Sequence, residues 1–185
     1  MKKILLLALP LMAVCFASCE KDNGNNEEVW IDDSPIIQFK DPYFQQALLD
    51  ENTCYIRDDF GILPYDIDRN GDSQISEKEA SIVEFLKVFS RGIRGLEEIK
   101  YFTALTDLNC VDNQLTSLDV SKNTALTDLY CSDNQLTSLD VSKNTALTGL
   151  DCSDNPLTSL DLSKNTALTT LFCENNQLTS LDVSK

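Results

Sequence analysis

LTDLNCVDNQLTSLDVSKNTA at residues 105–125 is followed by LTDLYCSDNQLTSLDVSKNTA at 126–146 and LTGLDCSDNPLTSLDLSKNTA at 147–167. A fourth copy, LTTLFCENNQLTSLDVSK, occupies 168–185. The period is 21 residues, marked by Cys110, Cys131, Cys152 and Cys173. Self-similarity at such a period, with leucines at fixed offsets, is the signature of a solenoid. Leu108 and Cys110 alternate with Asp107, Asn109 and Val111, which predicts a short strand with one face inward and one outward. Stacked copies form a parallel sheet on one flank. Asn113 is expected to turn inward and bond backbone groups as the chain leaves the strand, because a buried amide must be paired. Thr116–Ala125 is rich in Ser, Thr, Asn and Asp, which favour turns over a long helix.

One repeat buries about six large apolar groups worth roughly 2 kcal/mol each. Ordering its backbone costs about 1–2 kcal/mol per residue. Stacking on neighbours must supply the difference. The four cysteines are expected to form a buried ladder of free thiols. Neighbouring side chains in an in-register parallel sheet run side by side instead of converging, which disfavours disulfides. The ladder cysteines cannot share one zinc, since four rungs about 4.8 Å apart span roughly 14 Å against a Zn–S bond of about 2.3 Å.

The unit L-x-x-L-x-C-x-x-N-x-L-x-x-L-D-V-S-x-N-T-x-L fits copy after copy across 105–185. It resembles the cysteine-containing leucine-rich repeats of internalin J-like bacterial surface proteins. The resemblance implies a surface-displayed binding or adhesion scaffold without catalysis. The expected fold is an α/β solenoid. Leucine-rich-repeat coils over 83–185 carry a parallel β-sheet on one face, and a small, mainly helical N-terminal cap covers 36–82. The first coil is imperfect: Val83, Leu86, Val88, Ile93 and Leu96 keep the apolar places, but Val88 replaces Cys and Arg91 replaces Asn. The last coil stops inside the phrase SKNTAL. The expectation is that more repeats follow, or that the open edge pairs with a partner.

The chain has 185 residues, with 15 basic and 30 acidic side chains and no His. Lys2 and Lys3 precede an apolar run from Ile4 to Phe16, the pattern of a secretory signal too short for a confident membrane span. Phe16-Ala17-Ser18-Cys19 resembles a bacterial lipobox, although Phe16 departs from the usual aliphatic residue. The expectation is a signal peptide at 1–18, lipid on the Cys19 sulfur and a flexible tether at 19–35. Glu20-Lys21-Asp22 resembles the acidic tag of surface-exposed Bacteroides-type outer-membrane lipoproteins. Without residues 1–18 the net charge falls from −15 to −17, because two lysines and no acids are lost. That balance argues against nucleic acid, and against a membrane partner other than through the lipid anchor.

In the cap, Asp41-Pro42 opens a helix whose stripe is Tyr43, Phe44, Ala47 and Leu48. Cys54 reads as a packed thiol, with no His to activate it. DIDRNGDSQISEKE at 66–79 fits a calcium loop in two frames. A start at Asp66 puts Gly71 sixth and Glu77 twelfth, but Ser73 where an apolar residue belongs. A start at Asp68 is preferred. Asp68, Asn70, Asp72, the Gln74 carbonyl, Ser76 and Glu79 would wrap one hard cation, calcium. Its defects are Ser73 at the sixth position and a poor entering helix, interrupted by Gly61 and Pro64. Ser76-x-x-Glu79 is also a capping box, which needs no metal.

The copies differ mainly at exposed strand or rim positions such as Asn109, Tyr130, Asp151 and Phe172, while core and turn offsets barely change. Asp107, Asn109, Asp128, Tyr130, Asp151, Phe172 and Glu174 form the expected ligand-binding surface, with a protein as the partner. A solvated acidic sheet face explains the same residues. A glycan stacked on Tyr130 and Phe172, or a spacer role, are the alternatives. A glycosidase pair from Asp128 and Asp151 would lie on a flat face with no pocket.

Overall fold

The computed structural model describes residues 32–50 and 52–181. Helix α1 (Pro42–Leu48) is followed by strands β1 (Cys54–Asp58) and β2 (Gly61–Pro64), then helix α2 (Glu77–Ser81) and β3 (Phe85–Lys87). A 3-10 turn at Glu97–Tyr101 precedes β4 (Asp107–Asn109), β5 (Asp128–Tyr130), β6 (Gly149–Asp151) and β7 (Thr170–Phe172). The strands make one sheet in the order β2-β1-β3-β4-β5-β6-β7. From β3 onward every pairing is parallel and in register, with Leu86, Leu108, Leu129, Leu150 and Leu171 side by side. The leucine-rich-repeat coil expected from the sequence is the fold.

Each coil is held by three stacked features. The first is the apolar interior, where Leu105, Leu108, Cys110, Leu115 and Val120 are fully buried, as are their copies in the next coil. The second is the ladder of the strand-exit asparagines. Asn113 donates from Nδ2 to the carbonyls of Val88, Cys110 and Val111, and its Oδ1 accepts from the amides of Arg91 and Ile93. Asn134, Asn155 and Asn176 repeat the pattern one coil further each time. The residue before each of them, Asp112, Asp133, Asp154 and Asn175, has φ between 52° and 55°. Asp and Asn tolerate that left-handed region better than most residues, so the turn that aims the amide inward is built without glycine.

The third is a second amide ladder at Asn123, Asn144 and Asn165, all fully buried. Asn144 Nδ2 donates to the Val120 and Asn123 carbonyls, and Asn165 to those of Val141 and Asn144. The sequence reading assigned these asparagines only to turns. Their recurrence in the phrase SKNTA was the available signal. After the first coil, which carries the 3-10 turn at Glu97–Tyr101, the return limbs are turns without helix, as their composition predicts.

Cys110, Cys131 and Cys152 are buried free thiols. Cys173 is free but half-buried, because no described coil covers it. Burial pushes the Cys110 and Cys152 thiols up to about 12 and carries Cys131 well above its ordinary value.

The cap differs from expectation. Besides its two short helices it contains the β1–β2 hairpin, so it is mixed and not mainly helical. Gly61 and Pro64, which weakened the reading of an entering helix, bound strand β2. Cys54-Tyr55-Ile56-Arg57 alternates at the strand period, and Asp58 Oδ1 accepts the Phe60 and Gly61 amides to close the turn. The hairpin docks antiparallel on β3 through Cys54–Leu86 and Tyr55–Phe85. It therefore occupies the sheet edge that the first coil would otherwise leave open. Asp41 joins cap to coil more directly. One carboxylate oxygen caps α1 through the Tyr43 and Phe44 amides, and the other accepts from Arg94 at 2.6 Å and Gly95 at 3.1 Å. Arg91, standing where later coils have asparagine, pairs with Asp50 of the cap.

Candidate functional site: the open sheet face

Because strand side chains alternate, the inward residue of each strand is its central leucine and the flanking residues form the outer face. Register sets two rows across that face. One runs Phe85, Asp107, Asp128, Gly149, Thr170, and the other Lys87, Asn109, Tyr130, Asp151, Phe172. Six of the seven expected ligand-binding residues therefore stand together on one surface. Asp107, Asn109, Asp128, Tyr130 and Asp151 are half-buried, and Phe172 is 50% exposed. Glu174 lies just beyond β7 on the rim and is exposed.

The electrostatics of the face are uneven. Burial pushes the Asp107 carboxyl up, the neighbouring Asp128 charge adds to the rise, and Lys87 opposes it. Burial also raises the Tyr130 hydroxyl, followed by the charges of Asp128, Asp107 and Asp151. Three carboxylates thus converge around one phenol. Asp128 is oriented by the Thr127 hydroxyl at 2.9 Å and Asp151 by the Ser153 hydroxyl at 2.6 Å.

The cap hairpin and β3 add residues the sequence reading missed. The Arg57 guanidinium lies 5.1 Å from the Phe85 ring centre, and Lys87 Nζ lies 4.4 Å from that of Tyr55. Cation–aromatic pairs of this kind hold both partners in place. Period-two alternation in residues 54–58 was the signal. Gly61 and Pro64, read as breaks in a helix, hid it. Away from the sheet face, a cleft of about 440 Å³ runs along the flank between Leu96, Glu97, Ser117, Asp119, Ser138 and Asp140.

The second expected site, the 68–79 loop, is organised by its own amides. Asp68 accepts from the Asp72 amide at 3.0 Å and the Ser73 amide at 2.8 Å, and Asp72 from the Gln74 amide at 2.8 Å. Asn70 Oδ1 accepts from Asp72 at 3.1 Å. Ser73 has φ 61°, the conformation glycine normally supplies at a sixth position, so its side chain does not prevent the turn. Ser76 and Glu79 are buried and form the capping box of α2, with the Glu79 amide bonded to Ser76 Oγ and the Ser76 amide to Glu79 Oε2. The other Glu79 oxygen accepts from Arg69 at 2.9 Å. The all-oxygen donor set suits calcium chemically. Geometrically, no group of three His, Cys, Asp or Glu side chains among the described residues is gathered to hold an ion. Cys19, the expected lipidation site, lies outside the described residues.

A family profile for leucine-rich repeats in two copies matches residues 145–185. No curated protein matches the chain. Among solved structures, a domain of InlJ from Listeria monocytogenes, described as including a cysteine ladder, is 45% identical with a TM-score of 0.59. The match covers 60% of this chain and 25% of that one. A leucine-rich-repeat protein of Leptospira interrogans is 27% identical, with TM-score 0.54 over 56% of this chain and 28% of its own. The Listeria internalin inlF shares the fold at 18% identity and TM-score 0.59, covering 77% of this chain and 46% of that chain. The chain thus spans a quarter to a half of the structures it resembles. Its fold is a leucine-rich-repeat coil, and its repeats are internalin-like in sequence and in structure.

Proposed function

We propose that this chain is a surface-displayed binding module whose open sheet face engages a protein partner, without catalysis of its own. One observation carries the reading. The one offset that differs in all four coils, Asn109, Tyr130, Asp151 and Phe172, makes one row of the open face, while most invariant positions are buried or in turns. Aromatic side chains amid polar ones on a rigid, pre-ordered surface are what protein recognition uses. Display follows from the leader. Lipidation at Cys19 would anchor the chain to the bacterial outer membrane, and the acidic Glu20-Lys21-Asp22 would direct it outward, as in Bacteroides-type lipoproteins. A photo-crosslinking residue at position 130 should capture a protein from surface extracts, and the same residue at position 140 on the flank should not. Equal capture at both positions refutes the reading. A glycan that binds on an array and loses binding on Tyr130→Ala supports the carbohydrate alternative instead.

The 68–79 loop is proposed to take one calcium ion, on the strength of its oxygen donors and the left-handed Ser73. Binding would require Glu79 to turn from the Ser76 and Arg69 amides toward Asp68 and Asp72. Absence of any calcium-dependent rise in melting temperature leaves the loop as a capped turn.

A further inference from the structure

We propose that the chain's own residues 28–31, Glu-Val-Trp-Ile, lie along the open edge of the cap hairpin and cover it. The inference does not depend on what the open sheet face binds. Strand β2 ends the sheet on the cap side, and nothing among the described residues pairs with its outer edge. All of Gly61–Pro64 is exposed, with Ile62 at 50% and Leu63 at 43%, and Phe60 at the turn is 85% exposed. Edge strands are normally blunted by charge, a bulge or a covering segment. No side chain of β2 is charged, and Pro64 removes a donor only at its end. The pairing pattern shows which backbone groups are open. The Tyr65 amide donates to the Cys54 carbonyl at 2.9 Å, so the bonded pairs alternate as Cys54–Tyr65, Ile56–Leu63 and Asp58–Gly61. The Ile62 amide and carbonyl therefore point outward, away from β1.

The place where the described chain begins names the occupant. The Asp32 carboxylate accepts from the Ser76 hydroxyl and the Ser34 amide, and the Pro35 carbonyl accepts from the Glu77 amide at 2.9 Å. Short contacts lead from Ser76 to β2. The Ser76 amide bonds Glu79, Glu79 also accepts from the Arg69 amide, and the Arg69 guanidinium stands 5.7 Å from the ring centre of Tyr65, which follows β2. The segment before Asp32 thus starts close to the base of the hairpin. Four extended residues span about 13 Å, which matches the four residues of β2. Val29-Trp30-Ile31 is β-branched, aromatic and β-branched, the composition that suits a strand. Led from the hairpin tip to its base, the segment would run parallel to β2. A second copy pairing edge to edge must overcome the repulsion of two chains of net charge −15, whereas the chain's own segment is tethered beside the edge at high effective concentration. With Cys19 lipidated, as proposed above, residues 20–27 alone would remain as tether. They reach about 26–29 Å at full extension, which would hold the cap end of the sheet toward the membrane.

Trp30 is the single tryptophan of the chain, so its fluorescence reads the site directly. In the native whole chain its emission should be blue-shifted from that of the denatured chain and should resist quenching by acrylamide. Ile62→Lys together with Leu63→Lys should move the emission to the denatured position and raise quenching several-fold, while the coils melt at the native temperature by circular dichroism. Phe89→Lys, a control at a 50% exposed aromatic just past β3, should change neither reading. Hydrogen exchange gives an independent reading. The Ile62 amide should exchange at least about ten-fold more slowly in the native chain than in the double variant Val29→Ala with Trp30→Ala. Native emission at the denatured position, an equal shift from Phe89→Lys, or a shielded Trp30 indifferent to the edge substitutions each overturns the inference. Protection of Ile62 that rises with protein concentration also overturns it, because the cover would then be a second copy.

Discussion

Replacing Asn134 with Ala tests how the coils are held together. The Asn134 side chain makes four bonds inside the stack. Nδ2 donates to the carbonyls of Cys110 at 3.0 Å, Cys131 at 3.2 Å and Ser132 at 3.0 Å, and Oδ1 accepts from the Leu115 amide at 3.0 Å. It is 8% exposed, so water cannot readily take over these partners. A neutral buried hydrogen bond contributes about 1 kcal/mol net, and stranding a buried partner costs about 1–3 kcal/mol. The carbonyls keep a second bond: Cys110 from Asn113 Nδ2, Cys131 from Asn155 Nδ2 and Ser132 from the Asp112 amide, which leaves the Leu115 amide as the stranded partner. The expected loss is therefore about 3–4 kcal/mol, near the upper end for single substitutions. Asn176 makes the equivalent bonds to Cys152, Cys173, Glu174 and Leu157, but in a half-exposed outer coil. Asn176→Ala should cost about 1–2 kcal/mol, because water reaches the freed groups. Urea unfolding of both variants, read by circular dichroism, gives the comparison. A loss below about 1 kcal/mol for Asn134→Ala, or no difference between the variants, would refute the ladder as a main source of coil stability.

Three further outcomes are expected. All the ladder thiols should be countable as free sulfhydryls in denaturant without reductant. In the native protein Cys173 should alkylate first, and Cys131→Ser should destabilise by about 1–3 kcal/mol through a poorly paired buried hydroxyl. Stability should narrow at both pH extremes. The raised thiols keep their protons in the folded state while the unfolded chain loses them above about pH 8.5, so stability falls from there toward the folded values near 12. Burial works to raise the Asp41 carboxyl, but its four amide bonds hold it below the ordinary value, so its contribution is full above about pH 4 and is lost on acidification. Asp41→Asn should remove that acid-side component, seen in melts from neutral to acid pH. For the loop, millimolar calcium should raise the melting temperature of the native sequence and not of Asp68→Ala or Glu79→Gln.

The coils were legible because period, alternation and turn chemistry agree at every level, as in Leu108-Asn109-Cys110 followed by Asp112-Asn113. A repeat also shows four times what one copy leaves ambiguous. The inward asparagine at 113 could be read from the need to satisfy a buried amide. The one at 123 recurs as regularly, but it sits among Ser, Lys and Thr that read as a turn, and its partners, the Ile99 and Phe102 carbonyls, are brought near by stacking. The cap was less legible. Residues 54–64 form a single hairpin with no second copy to compare, and its alternation competes with Gly61 and Pro64, which punctuate helices and bound strands alike. Tyr55 and Arg57 were missed for that reason, and with them their partners Phe85 and Lys87 on β3 of the imperfect first coil.

The most direct test of the account compares one partner's affinity for two double variants. Tyr130→Ala with Phe172→Ala alters only the open face, and Ser138→Ala with Asp140→Ala alters only the flank. The partner is the protein captured through position 130, measured at matched folded concentration. The face variant should bind at least about ten-fold more weakly while the flank variant binds as the native chain does. A face variant with native affinity, or a flank variant weakened as much, would contradict recognition by the open sheet face.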